Sequence, residues 1–400
     1  MQAFLFIFVM PNNQRMRIRG IPWLCALLLL LAGGLATYAQ DVSRNKVLSD
    51  SAYLSSTVYL AGNKYQKDAT VFMDMVAFTH PYFVTPERRA EWFAKKPALV
   101  ERCGSVESDD VFVNLLVEAL GPLHDGHTGL TTLQRIQESR RAGRPASQNQ
   151  DVVGSVDMDH IMLRHASNYD YHLFPDQSIC YLQFNQCMDA PDTPFETFLD
   201  GMFARMEEGR IKTLVVDAQY NSGGSSRHCG QLLLHLCPLD KLQDFTTYIR
   251  FSDLMAAFDP RIAKAKTEWQ SHGHQDELYR VPAQKRPKGF RQPQLFDGQV
   301  IFVMGKRTYS SAGILLTLAR DNHIGTIIGT TSTFPPSHYG EILPYRLPNT
   351  GVLGSISCKY FVRPDAATAD APCLEPDIEI DLDDKDTSWR FICDNFGSHL

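Results

Sequence analysis

Thr213-Leu214-Val215-Val216-Asp217-Ala218-Gln219-Tyr220-Asn221-Ser222-Gly223-Gly224 opens as an apolar run and closes on a glycine-rich turn. A short, mainly apolar run that ends in an acid predicts a strand buried on both faces, as parallel sheets contain. The pattern returns downstream. Gln299 to Met304 reads as a second buried strand, Lys306 to Ser310 as a turn and Ser311 to Asp321 as a helix. Thr326 to Gly329 reads as a further short strand. Upstream, Ile179 to Phe184 predicts a strand and Pro194 to Glu208 an amphipathic helix, with the proline suited to its first turn. Gly230 to Leu236 reads as helical. Strands and helices alternating at this spacing predict an α/β domain with a parallel sheet.

Outward from this core, residues 40–135 read as an N-terminal helical subdomain. Asp109-Asp110 precede apolar residues at helical spacing over 111–120, and Gly121-Pro122 ends the run. Residues 136–152 are polar and broken by Gly-Arg-Pro, and the stretch 136–177 reads as a linker. The core is expected over 178–385. Within it 252–298 is charged and contains proline, and it reads as an insertion and candidate lid. Residues 386–400 read as a C-terminal tail.

The first 39 residues have the layout of a secretory signal peptide. Arg15, Arg17 and Arg19 precede an apolar run from Ile21 to Leu31, and Thr37-Tyr38-Ala39 suits cleavage. Met16 is an alternative start to Met1. The run is short for a membrane span, so a cleaved product without a stable membrane span is expected, secreted or periplasmic. Its loss removes three arginines and no acids, taking the net charge from −6 to −9. At 44% hydrophobic and 21% charged residues the composition is globular, and the acidic balance argues against a nucleic-acid partner. Removal of Cys25 leaves eight of the nine cysteines, whose pairing sequence does not choose.

Three local patterns bear on chemistry. Thr308-Tyr309-Ser310-Ser311-Ala312-Gly313 places serines at a strand-to-helix junction, where open α/β sheets put their sites. The helix start offers free N–H groups, so the Ser311 N–H is a candidate oxyanion donor. Either serine could instead be a plain N-cap. Asn221 to Gly224 could turn N–H groups of Gly223 or Gly224 toward a ligand, but it has neither P-loop nor GxGxxG spacing, and no cofactor is implied. Leu123-His124-Asp125-Gly126-His127-Thr128 puts a histidine after a tight turn, where it could serve a serine as base. His124 and His127 could share a metal, but no third ligand stands near them in sequence, so no metal is expected.

Taken in order, these segments resemble the carboxyl-terminal processing (tail-specific) and tricorn-core serine peptidases. Thr213 to Gly224 resembles that family's strand and DLRxNxGG loop. Thr308 to Gly329 resembles its nucleophile turn, helix and following strand, and Leu374-Glu375-Pro376-Asp377-Ile378 its closing xxPDI. The resemblance implies a crotonase/ClpP-like spiral core, a peptide or unfolded-protein substrate, Ser310 as nucleophile and His127 as base. Gly223, Gly224 and Ser311 are then oxyanion donors, and Asp370, Glu375 or Asp125 orients the imidazole. Members with a Ser–Lys dyad carry a lysine where this chain has Pro335, and none occurs between Lys306 and Lys359. The stretch before Ile179 is too short for a PDZ insertion. Gln219 stands where arginine is usual and Gly313 where glutamate is common. Those departures keep open a weak or inactive member that binds a peptide or apolar ligand, as retinoid-binding-protein modules do. A secreted esterase is the other alternative.

Overall fold

The computed structural model describes residues 61–135, 167–274, 276–283 and 289–397. The signal segment, most of the linker, and residues 275 and 284–288 of the insertion lie outside the described residues.

Among the described residues, three α-helices come first: α1 (Lys64–Thr79), α2 (Pro86–Arg102) and α3 (Asp109–Leu120), followed by the short strand β1 (Gly129–Thr131). Asn63 and Gln66 cap α1 reciprocally. Ser108 caps α3, so Asp109 and Asp110 lie in its first turn, where they complement the helix dipole. Then come β2 (Tyr169–Phe174), β3 (Ile179–Phe184), α4 (Phe195–Glu208), β4 (Thr213–Asp217) and α5 (Ser226–Leu234). The insertion begins after β5 (Thr246–Ile249) and holds α6 (Asp253–Phe258), α7 (Pro260–Ser271) and β6 (Tyr279–Arg280). The chain ends with β7 (Gln299–Met304), α8 (Ser311–Asp321), β8 (Thr326–Gly329), β9 (His338–Arg346), β10 (Leu353–Val362), β11 (Ile378–Glu379) and α9 (Lys385–Phe396).

One sheet has the order β11-β8-β7-β4-β3-β2. Its pairs are parallel except β2, which runs antiparallel to β3. Period-2 alternation sends the side chains to two cores. Cys180, Leu182, Leu214, Val216, Val300 and Phe302 pack with α4, α5 and α8. Ile179, Tyr181, Val215, Ile301 and Val303 pack against Trp389 and Ile392 of α9. The second sheet is antiparallel and centred on β10. β9 pairs along one edge of β10, while β1 and β5 share the other, at 353–355 and 359–362 respectively. Tyr345 and Ile356 of this sheet join Phe72, Trp92 and Phe112 in the N-terminal core.

Some elements differ from the sequence reading. Residues 169–174, read as linker, are edge strand β2, because Tyr169 buries against Phe195 and Phe198. α5 starts at Ser226, four residues before the expected Gly230. The expected tail is helix α9, held by buried Trp389 and Ile392. Leu254 and Met255 bury α6 in the N-terminal core, so that part of the insertion is anchored.

The β9–β10 turn is fastened to α1 by buried Asp68, which accepts from both amides of Asn349 and from the N–H and hydroxyl of Thr350. Asp68→Ala strands these donors and should cost about 3 kcal/mol in urea unfolding. A loss under about 0.5 kcal/mol would show that the anchor is dispensable.

Candidate active site

The turn after β7 is stitched to the turn after β4, its neighbour in the sheet. Buried Thr308 donates its hydroxyl to Ala218 O (2.8 Å) and accepts the Gly305 N–H (3.0 Å). The Tyr309 N–H donates to Asn221 O at 3.0 Å. This holds Ser310 at φ 53°, ψ −123°. A non-glycine residue there carries roughly 1–3 kcal/mol of strain, as nucleophile elbows do. Ser310 precedes α8 as an N-cap would, but its side chain makes no capping hydrogen bond. Its Oγ lies 3.1 Å from His127 Nε2.

Gly223 meets this turn at close quarters. It sits at φ 102°, and a Cβ on it would fall 2.7 Å from Ser310 Cβ. The loop is pinned from behind by Cys187, which donates its N–H to Gly223 O (3.1 Å) and accepts the Ser225 N–H (2.7 Å). Of the expected oxyanion donors, Gly223 is otherwise engaged: its N–H donates to Asn221 Oδ1 at 2.9 Å. The N–H groups of Gly224 and Ser311 have no acceptor among the described residues. The Ser311 hydroxyl donates to Gly224 O (2.7 Å), joining the two turns.

His127 arrives from the other sheet. Its carbonyl accepts the Ser355 hydroxyl at 2.8 Å, and the next residue, Thr128, accepts the Ser357 N–H at 3.0 Å. Asp125, two residues back, curls under the imidazole. Its Oδ1 accepts the His127 N–H (2.9 Å) and lies 3.4 Å from His127 Nδ1, longer than an ordinary hydrogen bond. Its Oδ2 accepts from Thr128 Oγ1 (2.6 Å) and from His80 Nε2 (3.0 Å). Burial alone would raise this carboxyl, but the bonds from His127, His80 and Thr128 outweigh it and hold the group well below the usual carboxylate range. Asp370 and Glu375 are exposed, and among the described residues the hydrogen bonds and ion pair of His127 go to Asp125, Ser310 and Ser355 instead. The sequence placed them near a closing motif, but the contact falls to the acid in the histidine's own turn. Sequence reading missed His80 altogether, because its contact with Asp125 spans 45 residues.

Around this centre lies an aromatic wall. Tyr309 and Phe334 pack 5.2 and 6.2 Å from the His127 ring. Burial pushes the Tyr309 phenol up to about 12, and the nearby Asp125 charge adds to that. Phe334 explains Gly313, since a Cβ there would meet the Phe334 ring at 2.1 Å. Gln219 is buried. Its amide nitrogen donates to Asp217 Oδ2 (2.9 Å), and its oxygen accepts from Lys385 Nζ (3.3 Å). A cation thus reaches this loop from α9. His124 is exposed, in a left-handed conformation, and no group of three His, Cys, Asp or Glu among the described residues could hold a metal. The eight cysteines described are unpaired; Cys187 and Cys229 approach to 3.8 Å between sulfurs.

A family model, Peptidase family S41, matches residues 178–380. The chain belongs to peptidase family S41 and is a serine-type peptidase acting on peptides. No curated protein matches it in sequence. Among solved structures it is similar to mature CPAF complexed with lactacystin, with TM-score 0.55 and 13% identity over 85% of this chain and 98% of that one. It is also similar to mature CPAF, with TM-score 0.54 and 12% identity over 86% and 100% of the two chains. A photosystem II D1 C-terminal processing protease aligns at TM-score 0.48 and 12% identity over 84% and 98%. At these identities the likeness to CPAF is one of fold, and it agrees with the mixed α/β architecture expected from sequence.

Two predictions follow the geometry. Gly223→Ala should leave a folded protein with peptidase activity reduced at least about 10²-fold, because the methyl group displaces Ser310. Activity within a few-fold of wild type would contradict that. The second concerns acid stability. His338 is buried between Phe334 and Phe361, and burial pushes its imidazole down to about 3. The unfolded chain protonates this group first, at about 6.5, so stability should fall as pH drops from about 6.5 toward about 3. Asp125 acts lower. Its folded-state value is depressed, so its contribution is present above about 4 and lost below that. His338→Phe should flatten the upper window of a stability–pH curve; an unchanged slope there would contradict the assignment.

Proposed function

We propose that this peptidase works through a Ser310–His127 pair, and that it is an endopeptidase of a secretory compartment. The observation that carries the reading is the 3.1 Å approach of Ser310 Oγ to His127 Nε2, made by a serine held at positive φ. His127 Nε2 takes the Ser310 proton as Oγ attacks the peptide carbonyl carbon. The carbonyl oxygen becomes an oxyanion, and the N–H groups of Gly224 and Ser311 receive it, the second backed by the positive end of α8. Asp125 steadies the imidazolium from the Nδ1 side. His127 then gives the proton to the departing amine, leaving an acyl-Ser310 ester. Water, deprotonated by His127, hydrolyses the ester and restores the hydroxyl.

Gln219 and Gly313 gave weight to a carrier. Both have local reasons, in Lys385 and in Phe334, that leave the serine and histidine as they are. The secretory assignment is supported by Arg15, Arg17 and Arg19 ahead of the apolar run 21–31.

The test is hydrolysis of an unfolded protein, with fluorophosphonate labelling in parallel. Ser310→Ala and His127→Ala should each lower kcat on the order of 10⁶-fold, and Ser310→Ala should abolish labelling. Retained hydrolysis or labelling in Ser310→Ala would overturn the reading. Terminal sequencing of the mature protein should begin near Gln40; an intact start at Met1 or Met16 would contradict secretion by cleavage.

A further inference from the structure

Behind Asp125 stands a second histidine. His80 lies just past the end of α1, with a side-chain exposure of 0%, against 1% for Asp125. Its ring nitrogens have different partners. Nδ1 accepts the Tyr82 N–H at 3.1 Å, so it carries no proton. The proton is therefore on Nε2, which donates to Asp125 Oδ2 at 3.0 Å. Tyr339 covers the ring at 4.6 Å, and the Arg250 guanidinium donates to the His80 carbonyl at 3.2 Å. Burial first, and the Arg250 charge as well, push the imidazole down, against the pull of Asp125. A neutral ring is what these surroundings accommodate.

The division of labour on the carboxylate follows. Oδ2 is taken by His80 and Thr128, while Oδ1 receives the His127 N–H and faces His127 Nδ1. Without the His80 donor, Oδ2 would keep only the Thr128 hydroxyl, which comes from the histidine's own turn, and the buried carboxylate would be held less firmly about its Cβ–Cγ bond. A neutral donor fixes it and leaves its negative charge uncompensated, so the charge remains available to an imidazolium at His127. A cation in that place would compete for it.

We propose that His80 is a positioning residue of this peptidase: its Nε2–H clamps Asp125 Oδ2 and thereby holds Oδ1 against His127. The inference rests on the Ser310–His127 reading. It adds a fourth side chain that touches neither substrate nor nucleophile.

The isosteric pair His80→Asn and His80→Gln tests it. The asparagine oxygen can stand in for Nδ1 toward Tyr82 but leaves Asp125 unreached, whereas the glutamine amide can replace the Nε2–H donor. His80→Asn should lower kcat roughly 10- to 100-fold with KM within about twofold. His80→Gln should recover at least about fivefold of that kcat. Loss through general unfolding would instead affect both variants alike and lower their melting temperatures together. His127→Ala is run beside them. If it is inactive while both His80 variants keep wild-type kcat, the His80 inference fails and the catalytic pair stands. If His127→Ala stays active, the pair fails and His80 with it. A measurement on the unmodified protein guards against variants that do not fold. In ¹⁵N-histidine NMR near neutral pH, one buried histidine should show the neutral Nε2–H tautomer with its proton hydrogen-bonded to a carboxylate. A His80 present as imidazolium or as the Nδ1–H tautomer would overturn the proposal.

Discussion

Ser310 and His127 belong to different packing units, and strand β10 ties the units together. The serine stands on the parallel sheet, at the carboxyl end of β7. The histidine follows the N-terminal helices and enters β1, a strand of three residues paired with one end of β10. Ser355 and Ser357 of β10 bond to His127 and Thr128, while Phe361, farther along the same strand, stacks on His338 beside the site. Remove that registration and the Ser310 hydroxyl keeps its strained turn but loses the His127 imidazole. Asp68, by fixing the β9–β10 turn to α1, sets where the strand lies relative to the helices that carry His80.

The second requirement is strain held in place. The Ser310 conformation is costly for an L-residue, and three local contacts oppose its relaxation: Thr308 on Ala218, Tyr309 on Asn221, and Ser311 on Gly224. Each joins the turn after β7 to the turn after β4. Beside Ser310, the amide groups of Gly224 and Ser311 have no acceptor among the described residues. Unpaired amides are unfavourable in a resting protein. If Ser310 is the nucleophile, as proposed, they are suited to charge that develops during reaction.

Much of this was legible in sequence because it is local. Apolar runs gave β3, β4, β7 and β8 with the boundaries seen, and the serine, the paired glycines and the Asp-Gly-His turn each sit within one short segment. What escaped depends on distant pairing. Nothing in the sequence near His80 signals a partner at Asp125. The orienting acid could not be chosen among Asp370, Glu375 and Asp125, because the choice rests on burial, and two of the three prove exposed. Gly223 was grouped with Gly224 as a donor because adjacent glycines look alike in sequence. The direction of each N–H is set by Asn221 and Cys187. Edge strand β2 and helix α9 were read as linker and tail, since their few buried residues gain meaning only against the finished core.

The most direct test is a crystal structure of the protein treated with a peptidyl boronic acid. The account predicts a covalent bond from boron to Ser310 Oγ, one boronate oxygen within hydrogen-bond reach of the Gly224 and Ser311 N–H groups, and His127 Nε2 bonded to Ser310 Oγ or to a boronate oxygen. A boronate attached elsewhere, or one on Ser310 whose oxygens turn away from both amides, would contradict it.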